Sequence, residues 1–227
     1  MFRAADSSVL PGISRLWQEA FGDSPDCVSE FFAAFPGCRS YVAEEAGEIA
    51  AMVHALPQIL RADADLPAAY IYAVATLKSH RGRGLCRNLM AFAEADLKQS
   101  GFRCAVLTPG EPGLFRFYEA LGYEAVFTRN RAAWDGGGTP VSPLEYAQLR
   151  EAWLPGPHMV YDAATLAYAQ RVYALEFYKT PTGCCAAGPD YTAEVLPEDL
   201  GGRPFAMIKW LGPAQQIENA YLGFALE

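Results

Sequence analysis

The stretch SHRGRGLCRNLM, Ser79 to Met90, sets Arg81, Arg83 and Arg87 around Gly82 and Gly84, after an apolar run and before an amphipathic pattern. Where a strand becomes a helix, the first helical N–H groups lack intrahelical partners and carry partial positive charge, so an anion is favoured there. Glycines let the backbone approach such an anion closely, and arginines add charge. The chemistry implied is the holding of a phosphate-bearing ligand. The plainer alternative is a surface loop with solvated arginines; the strand before it and the helix after it favour the anion site. The P-loop pattern is absent, and the dinucleotide fingerprint would need a third glycine where Arg87 stands.

The flanking elements follow from periodicity. Residues 9–20 and 26–35 read as helices, the first with Leu10, Ile13, Leu16, Trp17 and Ala20 on one face. CRSYVAEEAGEIAAMVHALPQIL gives two strands around a turn near Glu45 to Glu48. AAYIYAVAT is a strand apolar on both faces, as a central strand should be. A helix over about 83–99 presents Leu85, Leu89, Phe92, Ala93 and Leu97, with Glu94 and Lys98 spaced as an i,i+4 pair. FRCAVLT is the next strand, 112–121 a short helix, and YEAVFTRNRAAW a returning strand. Composition shifts at DGGGTP, Asp135 to Pro140, which divides the chain into 1–134 and 141–227. Beyond it, helices over 143–153 and 162–175 precede strand-like runs ALEFYKTP, CCAAGP, YTAEVLP, FAMIKWLG and AYLGFALE.

The totals narrow the function. The chain has 227 residues, 52% apolar and 19% charged, enough for a sizeable core. A net charge of −8 argues against a general nucleic-acid binder. The six cysteines form no C-x-x-C, and His54, His80 and His158 are far apart, so no metal site is expected. The opening MFRAADSSVLPG lacks the apolar core of a signal peptide, and no run reaches membrane-spanning length. The expectation is a reduced, cytoplasmic protein with neither nucleic-acid nor membrane partners.

YAVATLKSHRGRGLCRNLM resembles the acetyl-CoA signature of the GNAT superfamily of N-acetyltransferases, [Q/R]-x-x-G-x-[G/A] after a central strand. Arg81 and Gly84 fit its first and fourth positions; Cys86 stands where glycine or alanine is usual. The resemblance implies that Arg81, Gly82, Arg83, Gly84, Leu85 and Cys86 bind the pyrophosphate. It implies that the main chain of Val74, Ala75 and Thr76 pairs with the pantetheine arm. FRFYEALGYE resembles the family's late helix and puts Tyr118 at the position beside the cofactor sulfur, as the catalytic acid; packing in the core is the alternative for an aromatic there. The fold implied is α/β (α+β): a GNAT-like mixed, mainly antiparallel sheet flanked by helices over 1–134. A smaller C-terminal α/β region, 141–227, is expected to dock on it. That region could bury a sheet face, cover the acceptor cleft or form a homodimer surface.

Acetyl transfer from acetyl-CoA to a primary amine of a small molecule or peptide needs an oriented thioester, a deprotonated amine, donors for the carbonyl oxygen and a proton for the thiolate. Backbone N–H groups near Val74 to Thr76 could serve the oxygen. Tyr70 to Thr76 carries no carboxylate to act as base. His54 and Glu111 are the candidates, against the plainer readings of a hydrogen-bonded strand histidine and a turn residue; water with Tyr70 or Tyr72 is a substitute. Two other functions remain open: a non-catalytic acetyl-CoA sensor that lost its base, and a nucleotide-binding protein using the same turn.

Overall fold

The structure is a computed structural model and describes residues 1–129, 133–134, 136–154, 156–197, 204–217 and 220–225. The chain forms two compact units that exchange segments. The first contains residues 1–57, 67–107 and 209–214; the second contains 58–66, 108–208 and 215–227. Gly136 to Pro140, the described part of the composition break, lies inside the second unit. Asp135 and residues 130–132 of the expected returning strand lie outside the described residues.

In the first unit the order is β1 (Phe2–Ala4), α1 (Leu10–Phe21), α2 (Pro25–Ala34), β2 (Arg39–Glu45), β3 (Glu48–Arg61), β4 (Asp65–Thr76), α3 (Leu85–Gln99) and β5 (Cys104–Leu107). The strands lie in sequence order, β1-β2-β3-β4-β5, with β1, β2 and β3 antiparallel and β5 parallel to β4. Both faces of this mixed, mainly antiparallel sheet are apolar because helices cover both. On one face α1 and α2 bury Ile13, Leu16, Trp17, Val28 and Phe31. On the other, Tyr41 Oη donates to Asp96 Oδ2 of α3 at 2.7 Å, and Leu89, Ala93 and Leu97 are buried. Leu10, expected on the buried face of α1, is exposed at the first helical position. Glu94, spaced for Lys98, is buried and takes Lys209 at 2.5 Å; the returning segment 209–214 brings that lysine beside β5, where Leu211 N–H donates to Arg103 C=O.

The second unit holds α4 (Leu114–Glu119), β6 (Glu124–Thr128), β7 (Thr139–Pro140), α5 (Pro143–Trp153), β8 (His158–Val160), α6 (Ala163–Val172), β9 (Glu176–Thr180), β10 (Gly183–Gly188), β11 (Tyr191–Leu196), the first three residues of β12 (Ala206–Trp210) and β13 (Ala220–Tyr221). Within it β6 pairs antiparallel with β12 and parallel with β13. β8 joins β13 and the end of β3, Ile59 to Arg61. This last pairing draws residues 58–66 into the unit. A separate antiparallel sheet runs β11-β10-β9-β7. α5 starts with a capping box: Ser142 Oγ accepts from Glu145 N–H, and Glu145 Oε2 accepts from Ser142 N–H. The expected terminal strand AYLGFALE is regular only over Ala220–Tyr221; residues 222–225 are irregular and are held by side chains.

Candidate active site

The strand before the arginine–glycine turn is broken where it matters. β4 and β5 are in register from Ala68↔Cys104 to Tyr70↔Val106, and three residues further on Ala73 has φ +47°. A non-glycine residue in the left-handed region inside a strand is a bulge-like kink that is kept only when its surroundings impose it. Val74, Ala75 and Thr76 therefore lie past the last β5 pair, while Leu77 N–H still donates to Ala50 C=O of β3 at 2.9 Å. Thr76 Oγ1 is buried with no hydrogen-bond partner among the described residues.

The turn that follows has the backbone expected of an anion cradle. Gly82 and Gly84 have φ of +76° and +79°, and a Cβ at Gly82 would meet nothing within 4 Å. Gly84 is the N-cap of α3 and supplies no side-chain cap. The first intrahelical bond of α3 is Asn88 N–H to Gly84 C=O at 3.0 Å, which leaves the amides of residues 85–87 without intrahelical acceptors. Arg81 Nε donates to Thr76 C=O at 3.2 Å, tying the turn to the end of β4. Leu85 is buried and anchors the helix start. Burial pushes the Cys86 thiol up to about 11, so it fills space as a neutral group. Arg83 meets Glu45, at the hairpin end of β2. Its Nη2 lies 2.9 Å from Glu45 Oε2, which also stands 3.7 Å from His80 Nε2. Uncapped amides, open glycines and an orphaned threonine hydroxyl fit a pyrophosphate and its amide-bearing arm.

The structure thus brings Val74, Ala75, Thr76 and Arg81 to Cys86 together in the first unit. Tyr118 belongs to the second. It is buried on α4, with Phe117 and Tyr123 rings at 5.1 and 5.8 Å, and its carbonyl accepts from Tyr123 N–H. Glu111 is exposed, and its carbonyl accepts the N–H of Leu114 in the turn before α4.

His54 is fully buried, with Nδ1 2.7 Å from Ser40 Oγ and its ring among Trp17, Phe31 and Phe32. Burial pulls its pKa down to about 3. It is neutral at physiological pH and far too weak a base to deprotonate an ammonium. A histidine whose folded pKa lies below its unfolded value of about 6.5 contributes stability above that value, and the contribution is lost as pH falls towards the folded pKa. Taking the protein from pH 7 to 4.5 is therefore expected to remove about 2–3 kcal/mol through this residue alone. Denaturant melts of wild type and His54→Gln across that range check it: the glutamine variant should lack that part of the slope.

Compared by sequence with curated proteins, the chain matches none. Compared by structure, it resembles a GCN5-related N-acetyltransferase from Kribbella flavida, with a TM-score of 0.64 and 16% identity over 93% of this chain and 72% of that one. It also resembles a conserved protein of Enterococcus faecalis V583 described as a probable N-acyltransferase, with a TM-score of 0.64 and 19% identity over 82% of this chain and 54% of that one. For Eis1 from Mycobacterium abscessus the TM-score is 0.62, with 16% identity over 82% and 53%. The chain spans about half the length of the last two. These likenesses establish the fold. The family model for the acetyltransferase (GNAT) domain matches residues 1–126, more than half of the 227. That match takes in β4, the turn and α3, whose geometry suits the family's chemistry, and the chain belongs to the GNAT acetyltransferase family.

Proposed function

We propose that the protein is an N-acetyltransferase that moves an acetyl group from acetyl-CoA to a primary amine by direct attack. The observation that carries this is the kinked end of β4 running into an uncapped, doubly left-handed glycine turn at the start of α3. On this reading the amides of residues 82–87, with Arg81, hold the pyrophosphate. The main chain of Val74, Ala75 and Thr76 pairs with the pantetheine amides, and Thr76 Oγ1 offers one further hydrogen bond. The amine nitrogen attacks the thioester carbonyl carbon as the C–S bond breaks; the amine loses a proton to water, and the thiolate gains one.

The family motif and its spacing support Tyr118 as the group at the sulfur. A phenol, with a pKa of about 10, is a weak acid towards a thiolate of about 8.5, so its role is to donate a hydrogen bond as charge grows on sulfur. Tyr118→Phe is expected to lower kcat by roughly 10²-fold with little change in acetyl-CoA affinity. Normal turnover in that variant would remove Tyr118 from the mechanism. The assay for the function as a whole is thiol release from acetyl-CoA against a panel of amines. Acetyl-CoA binding without turnover on any amine would instead mark a sensor.

A further inference from the structure

The tip of the β2–β3 hairpin sets two carboxylates against each other. Glu45 and Glu48 are the last cross-strand pair before the turn, so two like charges face one another across the ladder, which is unfavourable by itself. Between them Ala46 and Gly47 have φ of +49° and +80°, the doubly left-handed geometry of a tight hairpin. Glycine adopts it freely, whereas alanine does so at a cost. The two-residue turn leaves little freedom, and it holds Glu45 in a fixed place.

Each carboxylate is answered by an arginine from a different element. Arg15 of α1 bonds Glu48. Glu45 takes Arg83, which stands between the two glycines of the turn before α3. The same oxygen, Glu45 Oε2, lies 3.7 Å from His80 Nε2. Arg81 and Arg83 are therefore held by different kinds of partner. Arg81 Nε donates to a neutral carbonyl, that of Thr76 at the end of β4. A guanidinium has five N–H donors, so a phosphate can join that contact. At Arg83 a phosphate meets a second anion instead, and the two repel each other at one cation.

We infer that Glu45 is an internal counter-anion of the turn: it and the pyrophosphate of acetyl-CoA exchange places on Arg83, and Glu45 thereby sets how tightly the cofactor is held. The inference rests on the acetyl-CoA reading of the turn. As the pyrophosphate arrives, Arg83 leaves Glu45 for the phosphate oxygens. The released carboxylate then faces Glu48 with His80 beside it. That rearrangement lowers cofactor affinity. It also favours departure of coenzyme A, because Glu45 recaptures Arg83, and affinity differences at one site appear mostly in the dissociation rate.

Calorimetric titration with acetyl-CoA at low salt tests the exchange. Glu45→Gln keeps the size and the hydrogen-bond acceptor but removes the charge. It should bind acetyl-CoA about fivefold more tightly than wild type, the upper weight of one partly exposed ion pair, and the gain should fade at about 1 M salt. Glu48→Gln removes the same charge from the opposite strand, beside Arg15, and should stay within about twofold of wild type. Arg83→Met should bind about tenfold more weakly, and adding Glu45→Gln to it should change affinity by less than about twofold. Unchanged or weaker binding in Glu45→Gln would overturn the inference. So would an equal gain in Glu48→Gln, or the full gain in the Arg83→Met background, since either would mean a general effect of surface charge. No binding of acetyl-CoA to wild type would sink the cofactor reading itself, and the inference with it.

Discussion

Gly84→Asp should bind acetyl-CoA about 10³-fold more weakly than wild type while remaining folded. Gly84 is exposed, and the nearest atom to an added Cβ is Asn88 Nδ2 at 3.9 Å, so a side chain has room. Its φ of +79° is strained for most residues, but Asp and Asn tolerate the left-handed region best. The harm falls on the ligand. A carboxylate placed at the start of α3 would sit in the space proposed for the pyrophosphate. At 4 Å and an effective dielectric near 20, each like-charge pair costs about 4 kcal/mol. The carboxylate would also cap the free amides of residues 85–87, competing directly for the donors. Gly84→Asn separates the contributions, since it shares the backbone strain and much of the capping without the charge. It should weaken binding by no more than about tenfold. Equal, near-normal affinities in both folded variants would remove the turn from the cofactor site.

The turn was legible because everything that defines it is local. Strand, glycines, arginines and helix follow one another within about twenty residues, and local geometry depends little on the rest of the chain. The same holds for α5, whose expected range, 143–153, matches its observed one. What escaped the sequence reading depends on contacts that no short window contains. Nothing in the type of Ala73 announces a left-handed residue; the surrounding strands impose it. Glu45 reaches Arg83, 38 positions further on, so a hairpin-turn glutamate becomes a partner of the glycine turn only on folding. Glu94 is spaced for its helical neighbour Lys98 but takes Lys209, brought in by a segment from near the C-terminus. The composition break at residue 135 marks a change in residue usage. Compactness follows pairings such as Ile59↔Val160 and Ala220↔Phe127, which link residues on both sides of that break. His54 lay on the expected strand, but its value as a base turned on what surrounds the ring, which periodicity does not reveal.

Glu194→Ala should destabilise the second unit by about 3–5 kcal/mol, the usual cost of removing one partner from a buried ion pair. Arg150 and Glu194 are both fully buried, with Arg150 Nε 3.1 and 3.2 Å from the two carboxylate oxygens. The remaining valences are taken. Tyr146 Oη donates to Glu194 Oε1 at 2.7 Å, while Arg150 Nη1 and Nη2 donate to the carbonyls of Met159 and Leu222 at 2.6 and 2.8 Å. The guanidinium carbon lies 4.6 Å from the Tyr161 ring centre. Gly223 has φ +90° and packs so closely that a Cβ would fall 2.1 Å from Glu194 Oε2, so the segment 220–225 is fitted around this pair. Without the carboxylate, an unneutralised guanidinium stays in the core and Tyr146 loses its acceptor, in a fold whose whole margin is typically about 5–15 kcal/mol. Arg150→Met should be similarly costly, because it strands the carboxylate and two backbone carbonyls. The double variant Arg150→Met/Glu194→Met should cost clearly less than the two single costs added, since each single variant leaves a charge behind that the other removes. Urea unfolding of the four proteins measures this coupling, and additive losses would mean that the pair is not held as one desolvated unit.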